Sequence, residues 1–238
     1  MFDFDGTVAL VRAGWMPLML DMMMETLAPL GPDTEALRAE AEDYVARFTG
    51  KDTVHQMNAF ADHVRALGGT PRTGEQYKAE FIAIMEHRRS AQLKAPETLL
   101  VPGTRELLAA LRERGLQVYL ASGSAHDEIV FESDLLGIAP FFDGIYGSAP
   151  GRPNKRDLLR QILDSGIEGD EILTFGDGRV EIEETKAVGG IAVGVATDEE
   201  ECLEVDAKKR GWLIDAGADY IVPNYLDPEI LRIVSGEI

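Results

Sequence analysis

Apolar and acidic positions alternate at the start of the chain: Met1-Phe2-Asp3-Phe4-Asp5, then Gly6-Thr7-Val8. A period of two is the signature of a strand, so this stretch predicts a short buried strand running out into a turn at Gly6. From Ala9 to Ala28 the positions are largely apolar with sparse charges, which predicts a helix leaving that strand. Pro29-Leu30-Gly31-Pro32-Asp33 breaks it. Up to about Gln92 the periodicity is helical throughout: Thr34 to Phe48, ended by Thr49-Gly50; Asp52 or Thr53 to about Leu67, ended by Gly68-Gly69-Thr70-Pro71; and Thr73 to about Arg89.

The pattern changes at Pro96. A helix is expected over Thr104–Arg114, a strand over Gln117–Ala121, and a turn at Ser122-Gly123-Ser124 into a helix that ends at Leu136-Gly137. A strand over Gly144–Tyr146, a helix from Asn154 to about Leu163, and a strand over Ile172–Phe175 follow. A helix over Glu181–Val188 and strands over Ile191–Ala196 and Tyr220–Val222 complete the reading. Strands alternating with helices of this length predict an α/β fold, a doubly wound, Rossmann-like parallel sheet. The expected division is a core of residues 1–12 and 96–238 with an α-helical insertion of residues 13–95.

Strand residues two apart share a face, which sets Asp3 and Asp5 on one side with Cα atoms roughly 7 Å apart. Like charges that close repel, and burying them unpaired costs several kcal/mol. A divalent cation removes the difficulty, and an oxygen-only ligand set favours Mg²⁺. Gly6 permits a sharp turn with exposed amides that suit an anion. An ordinary Asp-Gly turn accounts for the stretch taken alone. An EF-hand loop does not, since no Glu stands at the twelfth loop position.

Ligands of such sheets sit beyond the carboxyl ends of the strands, where Asp3, Asp5, Ser122 and Asp177 are all expected. Ser122 can hold a phosphoryl oxygen with helix amides behind it, and Ser124 can serve as a helix N-cap. Lys155, opening a helix, can neutralise charge over the same face; Arg152 and Arg156 are local rivals. Asp177, in Phe175-Gly176-Asp177-Gly178, can reach a metal held by Asp3. Glu181, one turn on, can bond metal water or Lys155, whereas Glu183 and Glu184 read as solvated acids.

With Asp3-Phe4-Asp5-Gly6-Thr7, the serine of Ala121-Ser122-Gly123, Lys155, and Gly176-Asp177 with Glu181 in this order, the chain resembles the haloacid dehalogenase superfamily. The helical insertion after the first motif resembles that family's C1-type cap, on the branch of phosphoglycolate phosphatase and β-phosphoglucomutase. The resemblance implies a Mg²⁺-dependent phosphatase acting on a small phosphomonoester, a sugar phosphate or phosphoglycolate. Asp3 would be the nucleophile and Asp5 the general acid and base. Asp3, Asp177 and the Asp5 carbonyl would bind the metal, with Glu181 and Thr7 supporting it. Gly6, Thr7, Ser122, Gly123 and Lys155 would bind phosphate, Thr7 also bracing the turn by hydrogen bonding. Thr49-Gly50-Lys51-Asp52 resembles the cap's specificity loop, which makes Lys51, His55 and, from the hinge, Arg12 candidates for reading the leaving group. Only Met1 and Phe2 precede the nucleophile, where members carry several apolar residues, so the central strand is expected to be cropped. Glu181 stands where Asp is common.

A phosphomutase is the alternative activity. A phosphonatase would use Lys51 for a Schiff base, and a non-catalytic binding module is a further reading. A dehalogenase would leave Asp5 and the metal set without purpose.

Composition narrows the partners. The chain has 238 residues, 45% hydrophobic, with 42 Asp and Glu against 23 Lys and Arg, a net charge of −19. That balance opposes nucleic acid and anionic membrane and poses the problem of attracting an anionic substrate. No run approaches the ~18 apolar residues of a membrane span. Trp15 to Met24 is Met-rich but holds Asp21 and lacks a basic leader, so no signal peptide is expected. The single cysteine, Cys202, suits a reducing cytoplasm and, among acids, a thiol that is not nucleophilic. His63, His87 and His126 lack metal-ligand spacing.

Overall fold

The computed structural model describes residues 1–31, 34–48, 52–92, 98–199 and 201–236. Ten helices are described: α1 Trp15–Leu27, α2 Thr34–Phe48, α3 Thr53–Ala66, α4 Gly74–Gln92, α5 Thr104–Glu113, α6 His126–Leu135, α7 Lys155–Asp164, α8 Arg179–Ala187, α9 Ala207–Ala216 and α10 Pro228–Ser235. The strands are β1 Tyr119–Ala125, β2 Gly144–Ser148, β3 Leu173–Gly176, β4 Ile191–Val195 and β5 Tyr220–Val222.

β1 and β2 pair in parallel, as do β3, β4 and β5. Residues 1–3 join the two groups. The Phe2 amide donates to the Tyr119 carbonyl at 2.8 Å and its carbonyl accepts from Ala121 at 2.9 Å; on the other side Asp3 donates to Phe175 at 3.0 Å and Phe175 to Met1 at 3.0 Å. The resulting order is β2, β1, residues 1–3, β3, β4, β5, all parallel. The central ladder is only three residues long, and the stacking of Phe2 on Phe175 (centroids 4.6 Å apart) reinforces it. Phe2, Phe4, Leu108, Leu120, Phe175 and Val193 lie in the main apolar core. A separate apolar cluster, including Met19, Met23, Tyr44, Phe60 and Tyr77, is formed by α1–α4. The architecture is thus an α/β sheet core with a helical cap. No helix among the described residues is long and apolar enough to cross a membrane.

Three expectations are corrected. The first helix begins at Trp15 rather than Ala9, because residues 8–10 turn back onto the segment before α5: Leu10 donates to Leu99 at 2.7 Å and Val101 to Val8 at 3.1 Å. β1 runs on to Ala125 through the stretch expected to turn; its register with β2 breaks between Ala121 and Ala125, and such an irregularity re-aims side chains. Helices α9 and α10, absent from the sequence reading, cover the sheet after β4 and β5.

Candidate active site

The site forms where residues 3–5, β1 and β3 run out at the same edge. Asp3 leaves the central ladder, and the chain then turns through Gly6, whose φ is +73°. A Cβ at Gly6 would lie 2.1 Å from Asp177 Oδ2, so glycine is required both by the backbone and by the close approach of Asp177. At Gly176 the close approach alone applies: an added Cβ would stand 2.0 Å from Glu181 Cγ.

Lys155 becomes the central cation because Asn154 caps α7. The Asn154 side chain accepts from the Asp157 amide at 3.0 Å, which fixes Lys155 as the first helical residue. Its Nζ lies 2.8 Å from Asp3 Oδ1 and 2.9 Å from Glu181 Oε2, with all three side chains buried. The rivals are elsewhere: Arg156 pairs with Glu184, and Arg152 is exposed.

Burial dominates the electrostatics. It raises the Asp3 carboxyl well above the usual range, Lys155 opposing, and raises Asp177 to about 7 against the pull of Lys209. Burial also pushes Glu181 upward, but Lys155 and the Gly178 amide (2.8 Å) outweigh it and hold Glu181 below its ordinary value. Burial works against the charge on Lys155, yet Asp3 and Glu181 raise its pKa.

Carboxylate oxygens of Asp3, Asp177 and Glu181 all lie within 4.8 Å of one another. A buried set of oxygen donors that close, two of them with raised pKa values, fits a hard divalent cation. Glu181, expected as outer support, stands in this group itself. The Asp5 carboxylate points elsewhere: Oδ1 accepts from Arg12 at 2.9 Å, and Oδ2 accepts from Ser124 at 2.8 Å and Ser122 at 3.3 Å.

Asp3, Asp5, Ser122, Gly123, Asp177 and Arg12 line one cavity of about 90 Å³ beneath the cap. Lys155 reaches Asp3 from the side. Thr7 is buried, but its hydroxyl has no hydrogen-bond partner, so it does not brace the turn as expected; the turn is held by backbone bonds from Thr7, Val8 and Ala9 to the Phe4 carbonyl. Ser124 is not the cap of α6, a place taken by Ala125. His55 is exposed and lines an adjoining cleft of about 560 Å³ with Arg152. Lys51 lies outside the described residues.

Three participants were not found from sequence. Lys209, buried on α9, lies 3.2 Å from Asp177 Oδ2 and 2.6 Å from Glu199 Oε1. Glu199 accepts from the Gly14 amide at 2.8 Å at the start of α1. Ser124 donates to Asp5. A basic residue on a helix absent from the reading offered no signal; the two hydroxyls at Ser122 and Ser124, spaced by one residue beyond a strand, offered a weak one.

A family model described as haloacid dehalogenase-like hydrolase matches residues 1–189. The phosphoglycolate phosphatase of Synechococcus elongatus is 25% identical over 126 residues, covering 53% of this chain and 59% of that protein. That of Pseudomonas putida is 26% identical over 134 residues, 55% of this chain and 49% of the relative. The chain therefore spans about half the length of these curated relatives. A crystal structure of β-phosphoglucomutase from Clostridium difficile superposes with a TM-score of 0.63 at 14% identity, covering 99% of this chain and 96% of the other, a likeness of fold.

Proposed function

Because the chain belongs to the haloacid dehalogenase-like hydrolase family, we propose that it is a Mg²⁺-dependent phosphatase of small phosphomonoesters, working through an aspartyl-phosphate. The observation that carries this reading is the buried Asp3, held by Lys155 at 2.8 Å, with Asp5 facing the same cavity. The names of the curated relatives support hydrolysis of a phosphomonoester.

Asp3 attacks phosphorus, and the bond from phosphorus to the alcohol oxygen breaks as the Asp3–phosphorus bond forms. Asp5, in its protonated form, gives its proton to the departing oxygen. It then takes a proton from the water that attacks the aspartyl-phosphate, which releases phosphate and restores Asp3. Arg12 and Ser124 orient Asp5 for both transfers. Lys155 and the hydroxyl of Ser122 bind the transferring phosphoryl group, whose charge lies on its equatorial oxygens. A Mg²⁺ held by Asp3, Asp177 and the Asp5 carbonyl, with Glu181 beside them, would supply neutralising charge at the phosphoryl oxygens.

The test is release of phosphate from p-nitrophenyl phosphate and a panel of small phosphate esters with Mg²⁺. Turnover is expected to be lost in Asp3→Asn and on chelation. A folded, Mg²⁺-supplemented protein that releases phosphate from no ester contradicts the reading.

A further inference from the structure

Lys155 answers two of the three clustered carboxylates, Asp3 and Glu181; a second buried lysine answers the third. Asp206 caps α9 by accepting from the Lys209 amide at 2.8 Å, which fixes Lys209 in the first turn of that helix. Its Nζ lies 3.2 Å from Asp177 Oδ2 and 2.6 Å from Glu199 Oε1. A buried ammonium beside a cation's ligand repels the cation, and surroundings of low dielectric strengthen the repulsion. Glu199 offsets that charge. It stands one ion pair out from Asp177, and the two acids act on each other through space, so Glu199 reaches the metal site by its charge rather than as a ligand.

The other oxygen of Glu199 serves the cap. Oε2 accepts from the Gly14 amide at 2.8 Å, where the chain leaves the core for α1. Gly14 has a φ of +72° and is the N-cap of α1, with no side chain of its own to cap the first turn. A carboxylate at that place also suits the positive end of the helix dipole. One side chain, 17% exposed, is thus held by the metal site's lysine at one oxygen and by the start of the first cap helix at the other.

Resting on the Mg²⁺ site of the reading above, we propose that Glu199 is a positioning residue that couples cation binding at Asp177 to the start of the cap. By balancing Lys209 it keeps the site negative enough for a divalent ion, and by holding Gly14 it passes the bound state to α1. A cation on Asp177 pushes the Lys209 ammonium towards Glu199, and the tighter pair fixes the carboxylate on which the Gly14 amide rests. Coupling of this kind is reciprocal: what the tie at Gly14 adds to cation affinity, the cation adds to the tie.

Calorimetric titration with Mg²⁺ tests the link to Asp177, at pH 8 so that the medium is above the value of about 7 to which burial raises that carboxyl. Glu199→Gln is expected to raise the Mg²⁺ Kd by at least about tenfold. Glu204→Gln removes the same charge from an exposed side chain of the same loop, where salt screens it, and is expected to change Kd by less than about twofold. Amide hydrogen exchange tests the link to the cap and needs no variant. Mg²⁺ is expected to slow exchange at Gly14 severalfold in the wild-type protein, and that slowing should vanish in Glu199→Gln. Wild-type affinity in folded Glu199→Gln, equal effects of the two substitutions, or wild-type exchange at Gly14 that Mg²⁺ leaves unchanged overturns the inference and leaves the metal site standing. A wild-type protein that binds no Mg²⁺ overturns both.

Discussion

Lys155 keeps a charge that burial alone would remove, because two carboxylates hold its ammonium on either side. Removing one partner of a buried ion pair costs about 3–5 kcal/mol, since the charge left behind has no compensation. Lys155→Met is therefore expected to destabilise the fold by that order in denaturant titration, and to abolish turnover. Lys155→Arg is not expected to restore activity, because a planar fork does not replace a compact ammonium between Asp3 and Glu181. Asp177 gives a pH signature. Its ordinary pKa of 3.8 is raised to about 7 by burial, so between those values the folded protein holds a proton that the unfolded chain lacks. Its contribution to stability is complete below about pH 4 and is lost as pH rises through about 7; Asp3, raised in the same direction, adds to the slope. A cation competes with that proton. The melting temperature without metal should fall from pH 4 to 7, and the gain on adding Mg²⁺ should grow over the upper part of that range. Asp177→Asn should flatten both; a wild-type melting temperature independent of pH and of Mg²⁺ would contradict the assignment.

At the scale of elements, α7 shows how a local rule places a buried cation against Asp3 and Glu181. The capping box at Asn154 and Asp157 satisfies the free amides of the helix start and thereby sets Lys155 at its first position. Asn154→Ala is expected to cost about 1 kcal/mol in a thermal melt and to lower kcat more than that loss of stability explains. Arg160→Ala on the same helix, which removes an exposed pair with Asp157, should move stability by less than about 1 kcal/mol. Such local signals were legible in sequence: α2 and α3 fall where periodicity and Asp52 put them, and β3 and β4 differ from the expected ranges by a residue at most at each end. What was not legible came from contacts distant along the chain. The delayed start of α1 depends on Leu99 and Val101, and the continuation of β1 through Ser122–Ser124 depends on an irregularity in its pairing with β2. Helix α10 did carry a signal, Asp227 as cap with Pro228 next. α9 has almost no one-sided apolar face, and its Lys209 had no local reason to be read as buried.

For the whole molecule, the contacts between cap and core bear on the site. Asp52, which caps α3, also accepts from Ser148 at the end of β2 at 2.6 Å, and Glu42 of α2 meets Lys208 of α9 at 2.9 Å. Ser148→Ala removes a tie between the cap and the core next to the phosphoryl site; KM is expected to rise severalfold with little change in melting temperature, as steady-state kinetics and a thermal melt would show. The net charge of −19 attracts cations at long range, and salt screens that attraction with a Debye length of about 10 Å at 0.1 M. Calorimetric Mg²⁺ affinity should therefore fall as monovalent salt rises. The main lines of the site were readable from four short motifs because the proposed phosphoryl transfer needs carboxylates, a hydroxyl and a cation gathered at one edge of the sheet. The counter-charges around Asp5 and Asp177 were not, since Arg12, Glu132 and Lys209 acquire their partners only when the chain folds.

The central claim is that Asp3 becomes phosphorylated, and trapping tests it most directly. The protein is mixed with Mg²⁺ and a phosphomonoester it turns over, quenched in acid, and treated with borohydride, which reduces an acyl phosphate to an alcohol. Mass spectrometry of the N-terminal peptide is expected to show Asp3 converted to homoserine only when ester was present. Turnover with Asp3 left unmodified, or with the phosphoryl group trapped on another residue, would contradict the account.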